Sequence, residues 1–159
     1  MNYWLLKSEP AVFGIDDLAA RPGQTDTWDG VRNYQARNLL RDRVRTGDQA
    51  LFYHSRCPTP GIVGLIDIVR AGYPDPSACD PRSPYFDPRA TLERPRWFAI
   101  DVRYRRHLRR VIALSELRRH ATGALADWPL LRRGNRLSVL PVTPQQWRFV
   151  LALETDPAS

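Results

Sequence analysis

A nearly continuous apolar segment places the strongest constraint on the fold. Gly61 to Val69 consists of aliphatic residues apart from two glycines and one aspartate. A strand of this kind is buried on both faces or belongs to a tightly curved sheet. Gly61 and Gly64 favour curvature, because glycines within strands often mark bulges and barrel corners. The segment therefore predicts a central strand in a strongly bent sheet.

Further elements are predicted on both sides of this strand. The last helix has the clearest signals, with Thr143 as N-cap, Pro144 at the first helical position and Gln146 completing a capping box. Residues 73–96 are rich in Pro and Asp and predict a long ordered excursion. Strands are predicted at 3–6, 50–54, 97–104 and 136–142, and helices at 15–20, 33–43 and, capped by Ser115, as far as His120.

This order of elements predicts an α+β domain in which a small mixed barrel, or a strongly bent sheet, is flanked by helices. A doubly wound sheet fits poorly, because regular strand–helix alternation and a glycine-rich first turn are missing. The length of 159 residues suits one domain. We expect it to span 1–155, followed by a short C-terminal tail at 156–159.

The charge of the chain favours a polyanionic partner. The net charge is +7 and the pI is about 10.1, which is typical of nucleic-acid binding. Lys7 is the one lysine among 24 basic residues. A GC-rich genome explains so uniform a use of arginine, although arginine is also the better ligand for phosphates and bases. Both explanations stay open.

We expect neither export nor insertion into a membrane. The N-terminal residues do not resemble a signal peptide, the two cysteines allow only one disulfide, and no apolar run approaches the roughly 20 residues of a membrane helix. We expect a monomeric bacterial protein in the cytoplasm, with access to the nucleoid.

A block of nine residues, Trp28 to Ala36, combines the groups that recognise a nucleobase. A flat heteroaromatic ring needs aromatic walls to stack on and amide or guanidinium groups at its rim. Trp28 and Tyr34 supply the first kind, and Arg32, Asn33 and Gln35 supply the second. The structural alternative is an Asp-Gly turn before a helix, with both aromatic rings in the core.

Similar mixtures recur elsewhere in the chain. Residues 7–10 end the first strand in a polar tetrad, residues 53–55 join a tyrosine, a histidine and a serine, and residues 127–138 repeat the aromatic, glycine and polar pattern. The alternative for residues 7–10 is an ordinary polar strand end, and the alternative for residues 53–55 is a hydrogen-bonded structural histidine. The predicted pocket residues in these segments are Ser8, Tyr53, His54, Ser55, Trp128, Leu131, Asn135, Arg136 and Ser138.

Basic residues cluster at 103–110 and 132–133. They are either a solvated face or a surface that holds a phosphate backbone while the pocket contacts one base. The predicted phosphate-binding residues are Lys7, Arg105, Arg106, Arg109, Arg110, Arg132 and Arg133. Because no nucleophile elbow, metal-ligand spacing, Walker loop or dinucleotide fingerprint occurs, we expect no enzymatic activity, metal or cofactor.

Taken together, these blocks closely resemble the EVE domain family over about residues 2–153. The resemblance rests on residues 3–10, 28–37, 52–55, 60–64, 73–76, 97–98, 129–131 and 134–138. It implies a PUA-like fold, a small curved β-barrel flanked by helices, related to the YTH readers of methylated adenine in RNA. It also implies a non-catalytic reader of a modified nucleobase, with modified cytosine in DNA as the leading ligand and modified RNA as another.

The resemblance carries the pocket over residue by residue. It implies walls and edge from Trp28, Asn33, Tyr34, Tyr53, His54, Ser55 and Trp128, with Ser8, Arg136 and Ser138 beside them. Two other functions stay open: a sensor of a free nucleotide or another small ring-bearing ligand, and, less expected, a base-processing enzyme.

Overall fold

The computed structural model describes residues 1–156 and contains one mixed six-stranded sheet with helices packed around it. The elements, in chain order, are β1 (Tyr3–Ser8), α1 (Pro10–Phe13), α2 (Ile15–Ala20), β2 (Thr25–Trp28), α3 (Tyr34–Asp42), β3 (Gln49–His54), β4 (Gly61–Pro74), β5 (Phe98–Ala113), α4 (Leu114–Arg118), β6 (Val139–Val142) and α5 (Pro144–Leu153). Short 3₁₀ turns lie at Pro22–Gln24, Pro76–Cys79 and Pro129–Leu131.

The strand order across the sheet is β2-β5-β4-β3-β1-β6. β1 runs parallel to β3, and the other neighbouring strands are antiparallel. Within residues 1–156 the edge strands β2 and β6 do not pair with each other, so the hydrogen-bonded sheet is open. The predicted α+β class is confirmed, whereas the sheet does not close into the expected barrel.

Irregular pairing shapes the two longest strands, β4 and β5. Their register shifts at several points, including between Ile62 and Gly64, and β-bulges of this kind bend a strand and increase its twist. A Cβ atom on Gly64 would lie 1.9 Å from Cδ1 of Ile15 and 2.7 Å from the carbonyl oxygen of Arg106. Glycine at this position thus lets α2 pack directly on the sheet.

Both faces of the central strands are buried, as the apolar run at 61–69 predicts. Side chains alternate between two core clusters. Leu6, Phe52 and Ile66 belong to the first, which packs under α2 and α3. Leu5 and Leu51 belong to the second, which packs under α5. Helices therefore pack on both faces of the sheet.

Several boundaries differ from the sequence predictions. β5 continues to Ala113, so the basic run at 103–110 is part of a strand. Ser115 lies inside α4, whose N-cap is Ala113, and β6 begins at Val139 rather than at 136. α1 and β2 were not predicted. The tail prediction falls mostly on 157–159, outside the described residues, and the boundary at 155 stays a prediction.

Residues 1–156 contain neither a helix suited to span a membrane nor a cluster of side chains suited to hold a metal ion. None of the helices there is long and apolar enough to span a membrane. The same residues contain no group of three or more His, Cys, Asp or Glu side chains placed to hold a metal ion.

Candidate functional site

A cleft of about 460 Å³ opens where β1 and β2 end. Its walls come from four separate segments: the end of β1 with α1, the block that starts at β2, the excursion between β4 and β5, and the residue before β6. The lining residues are Lys7, Ser8, Glu9, Val12, Phe13, Asp26, Thr27, Trp28, Asp29, Gly30, Val31, Arg32, Tyr85 and Ser138.

Trp28 belongs both to the core and to the cleft. Its side chain is buried, with 7% of the residue exposed, and it lines the cleft. It packs edge to face on Phe52, with ring centroids 5.3 Å apart, and on Phe13, at 6.5 Å. The base-binding and structural interpretations of Trp28 are thus compatible, because the same side chain packs in the core and lines the cleft.

Gly30 makes the turn on which a second aromatic side chain rests. Its φ of +75° lies in the left-handed region, and a Cβ atom there would be 2.6 Å from the ring of Tyr85. Glycine is therefore required twice, for the backbone angle and for the close approach of the ring. Tyr85, which comes from the excursion at 73–96, forms a wall of the cleft in this way.

A buried aspartate holds the turn and the excursion together. Asp75 accepts hydrogen bonds from the backbone nitrogen of Gly30 at 3.0 Å and from Nη1 of Arg32 at 2.9 Å. Its other oxygen accepts from the nitrogen and hydroxyl of Ser77 at 2.8 and 2.6 Å. Burial alone would raise the pKa of Asp75, but these hydrogen bonds outweigh it and lower the pKa.

Arg32 adds further contacts between the Gly30 turn and the excursion at 73–96. Its Nη2 donates to the carbonyl oxygen of Tyr85 at 2.7 Å, and its guanidinium lies 5.2 Å from the ring centroid of Trp97 and 5.6 Å from that of Tyr85. Although Arg32 lines the cleft, its donors and its charge are largely used within the protein.

The polar groups of the cleft include both signs of charge. Desolvation raises the pKa of Asp29, and the neighbouring carboxylate of Asp75 adds to the effect. Burial lowers the pKa of Lys7, whose ammonium lies 5.7 Å from the ring centroid of Tyr53. Ser8 donates from its hydroxyl to the Phe13 carbonyl at 2.6 Å. A carboxylate acceptor and an ammonium donor are thus both available to a heterocycle in the cleft.

The structure brings part of the predicted pocket together. Ser8, Trp28, Arg32 and Ser138 line the cleft, and so does Lys7, which was predicted to bind phosphate. The remaining predicted pocket residues are outside this lining. Their part in base binding stays a prediction.

Three of these residues are tied into the fold from β3 and the loop before β6. Tyr53 and Trp128 are buried in the second core cluster, and burial raises the pKa of Tyr53 to about 12. His54 accepts a hydrogen bond at Nε2 from the backbone nitrogen of Ile15 at 3.1 Å. Burial lowers the pKa of His54, which favours the neutral ring that this bond requires.

Others organise local backbone. Asn33 is the N-cap of α3 and accepts from the nitrogen of Ala36 at 3.0 Å, and Asn135 accepts from the nitrogen of Leu137 at 2.9 Å. The backbone nitrogen of Ser55 donates to the carbonyl of Ser8. Leu131 packs against the second core cluster, while Tyr34, Gln35 and Arg136 are exposed.

The predicted phosphate-binding arginines fall into two groups. Arg105 pairs with Asp67 at 3.0 Å, Arg106 with Glu154 at 2.7 Å and Arg110 with Glu116 at 2.7 Å, so internal carboxylates already compensate their charges. The other three, Arg109, Arg132 and Arg133, are exposed. Arg106 and Arg109 also line a separate depression beside the end of α5.

Asp29 and Tyr85 are two of the nine cleft-lining residues that the sequence predictions left out of the site; the others are Glu9, Val12, Phe13, Asp26, Thr27, Gly30 and Val31. Asp29 stands inside the block at 28–36 but is not among the predicted base-binding residues. Tyr85 gives no local signal, because contacts between residues distant in sequence, such as Asp75 with Gly30 and Arg32 with the Tyr85 carbonyl, bring its loop over Gly30.

Comparison with known proteins places this chain in a family. The family model described as the EVE domain matches residues 2–153. The chain belongs to the EVE domain family. Mouse thymocyte nuclear protein 1 is 44% identical over 172 residues, which cover 99% of this chain and 76% of that protein. The human protein of the same name is 42% identical, over 96% of this chain and 74% of its own length.

Solved structures share the fold as well as the sequence. A protein from Pseudomonas putida has a TM-score of 0.89 and 51% identity, over 96% of this chain and 99% of its own. Human THYN1 protein in complex with DNA containing 5-methylcytosine has a TM-score of 0.90 and 41% identity, over 99% and 100% of the two chains. This EVE domain thus has a relative of the same fold that binds methylated DNA.

Proposed function

We propose that this EVE domain protein is a non-catalytic reader of a modified cytosine in DNA, and that the cleft at the ends of β1 and β2 holds the base. The observation that carries the proposal is the human THYN1 complex with DNA containing 5-methylcytosine. The cleft supports it chemically, since it offers aromatic rings next to a carboxylate and an ammonium group.

In this mechanism one base leaves its stack and enters the cleft against Trp28 and Tyr85. Asp29 accepts a hydrogen bond from the exocyclic amino group, as acidic side chains do from cytosine N4, and Lys7 donates to an acceptor on the ring. Each base–aromatic stack is worth roughly 1 to 3 kcal/mol, and unstacking costs a few kcal/mol. Because these terms nearly cancel, contacts to the modifying group decide whether the base stays bound.

The test is a titration of labelled oligonucleotides that differ in one base: cytosine, 5-methylcytosine, 5-hydroxymethylcytosine or methylated adenine, in duplex and single-stranded DNA and in RNA. We expect the tightest binding to a modified cytosine in DNA, and weaker binding of the modified and unmodified cytosine probes alike in Asp29→Asn, because both bases carry the amino group. Asp42→Asn removes an exposed carboxylate of α3 that pairs with Arg41, and serves as the control. Equal affinity for modified and unmodified probes would refute the reader proposal.

The same titration separates the reader from its two alternatives. Tight binding of a free nucleotide without oligonucleotide binding would favour a small-molecule sensor. A base-processing enzyme predicts a product detectable by mass spectrometry that disappears in His54→Ala. The lone pair of His54 that accepts from Ile15 is not free for proton transfer, which supports the non-catalytic proposal.

A further inference from the structure

A cluster of aromatic and guanidinium groups extends from the cleft to the start of α3. The ring of Tyr34 stacks on that of Trp97, with centroids 4.9 Å apart and planes inclined by 23°. Trp97 in turn lies 5.2 Å from the guanidinium of Arg32, which reaches Tyr85 in the cleft wall. We call Tyr34, Trp97, Arg32 and Tyr85 the aromatic stack. One end of it lines the cleft and the other end faces solvent.

The outer face of the Tyr34 ring is open. Tyr34 is 49% exposed although its inner face is covered by Trp97. The guanidinium of Arg37 lies 4.8 Å from the ring centroid of Tyr34 and 6.0 Å from that of Trp97. A group on the face of Tyr34 opposite Trp97 would lie much farther than 6.0 Å from Trp97. Arg37 therefore lies beside the pair, and a planar ligand has access to Tyr34.

The exposed ring of Tyr34 is fixed by a stack and a hydrogen bond, and the guanidinium of Arg37 lies at its edge. The Tyr34 hydroxyl accepts a hydrogen bond from Arg96. Arg37 donates to the carbonyl of Arg96 at 2.7 Å and to Asn38 at 2.8 Å, and forms no ion pair with a carboxylate of the described residues. Desolvation and the nearby charge of Arg41 lower the pKa of Arg37 and outweigh the opposing effect of Asp42.

From this arrangement we infer that Tyr34 and Arg37 form a second nucleotide-binding site, which holds a base flanking the one in the cleft. The flanking base stacks on the open face of Tyr34, and its phosphate pairs with Arg37. An immobilised aromatic ring loses little entropy on binding, and base–aromatic stacking tolerates any base because every base has a π face. The inference rests on the proposed function, since it takes its ligand from the same nucleic-acid strand.

The experiment combines protein variants with abasic probes. Oligonucleotides carry 5-methylcytosine at one position and an abasic site at each flanking position in turn. Affinities are measured for the wild-type protein, Tyr34→Ala and Tyr34→Phe. Tyr3→Ala is the matched control, because Tyr3 stacks on Trp147 at 4.3 Å in the second core cluster. Thermal melting verifies that each variant is folded.

We expect Tyr34→Ala to weaken binding of the intact probe by roughly 5- to 150-fold, the value of one stack, with Tyr34→Phe and Tyr3→Ala near wild type. One abasic position should abolish the effect of Tyr34→Ala, because ring and base act as a pair. The inference is overturned if Tyr34→Ala binds like the wild type, or if its loss is the same for every abasic probe.

Failure of the proposed function gives a different pattern from failure of this inference. If the wild-type protein does not prefer 5-methylcytosine but the coupling between Tyr34 and one flanking base persists, the reader proposal falls and the second site stands. If the wild-type protein prefers 5-methylcytosine but Tyr34 is not coupled to a flanking base, the reader proposal stands and the second site falls. A wild-type protein that binds none of the oligonucleotides overturns both.

Discussion

At the scale of single residues, the cleft depends on groups that fix its walls as much as on groups that face a ligand. Gly30 shows this directly, because its turn accommodates the Tyr85 ring where a side chain would otherwise be. Asp75 and Arg32 hold that ring in place through hydrogen bonds to the turn and to the Tyr85 carbonyl. Changes to these residues should alter binding without removing any ligand contact.

Gly30→Ala tests this view against Gly134→Ala. Both glycines have a φ of +75°, but nothing lies within 4 Å of a Cβ atom built on Gly134. The left-handed conformation should cost each variant about 1 to 2 kcal/mol. Only Gly30→Ala should also displace Tyr85, so urea unfolding should show a larger loss for it and oligonucleotide binding should weaken in it alone. Similar behaviour of the two variants would argue against the role of Tyr85.

Asp75→Asn should be strongly destabilising, because it leaves the Arg32 guanidinium without its carboxylate partner. We expect a loss on the order of 3 kcal/mol in the free energy of unfolding, measured by urea denaturation. The exposed Asp42→Asn should leave that free energy unchanged. A small effect of Asp75→Asn would show that the hydrogen bonds of Asp75 contribute little to stability.

Acid should destabilise the protein by protonating carboxylates that the fold keeps ionised. The pKa values of Asp75, Glu116 and Glu154 are lowered from their ordinary values of 3.8 and 4.5. The unfolded chain then binds more protons than the folded one at acidic pH, so the stabilisation is complete above the ordinary values and is lost as pH falls through the folded ones. Urea midpoints should be flat near neutral pH and fall below about pH 4.5. Midpoints that stay constant into this range would contradict the assignment.

At the scale of elements, α5 is held by a cap at its own start. Thr143 accepts from the nitrogen of Gln146 at 3.1 Å, and the Gln146 side chain accepts from the nitrogen of Thr143 at 2.9 Å. Thr143→Ala should cost about 1 kcal/mol, measured by thermal or urea unfolding. Ser115→Ala is the matched control, since Ser115 lies within α4 and caps nothing. A comparable loss in both variants would mean that the cap is not the cause.

The elements also show which features a sequence can predict. α2 and α5 have the expected positions because capping residues and apolar periodicity are local signals. β2 is a strand only through its pairing with β5, and the basic half of β5 is stabilised by carboxylates distant in sequence, such as Asp67 and Glu154. Trp28 was found at the cleft because its block is contiguous, whereas Tyr85 depends on contacts that only folding creates.

At the scale of the whole molecule, the net charge is +7, but some of the arginines pair with carboxylates and others are free to contact a polyanion. Arg105 is compensated by Asp67, while Arg132 and Arg133 are exposed in the loop before β6. Each phosphate contact contributes about −0.9 to the slope of log K against log salt concentration. We expect the double variant Arg132→Gln and Arg133→Gln to reduce the magnitude of that slope by roughly 2, and Arg105→Gln to leave it unchanged.

The measurement is a set of oligonucleotide titrations across a range of salt concentrations. Equal slopes for the wild type and the double variant would place the phosphate contacts elsewhere on the surface, while a reduced slope in Arg105→Gln would show that its pair with Asp67 opens on binding.

Trp28 imposes a limit on how such a domain diverges. Its ring is packed against Phe52 and Phe13 and also faces the cleft, so selection for a new ligand cannot act on it without acting on folding. Relatives that acquire a different specificity should keep this tryptophan and vary the residues around it, such as Asp29 and Tyr85. Directed evolution of this protein for another modified base should begin from those rim positions.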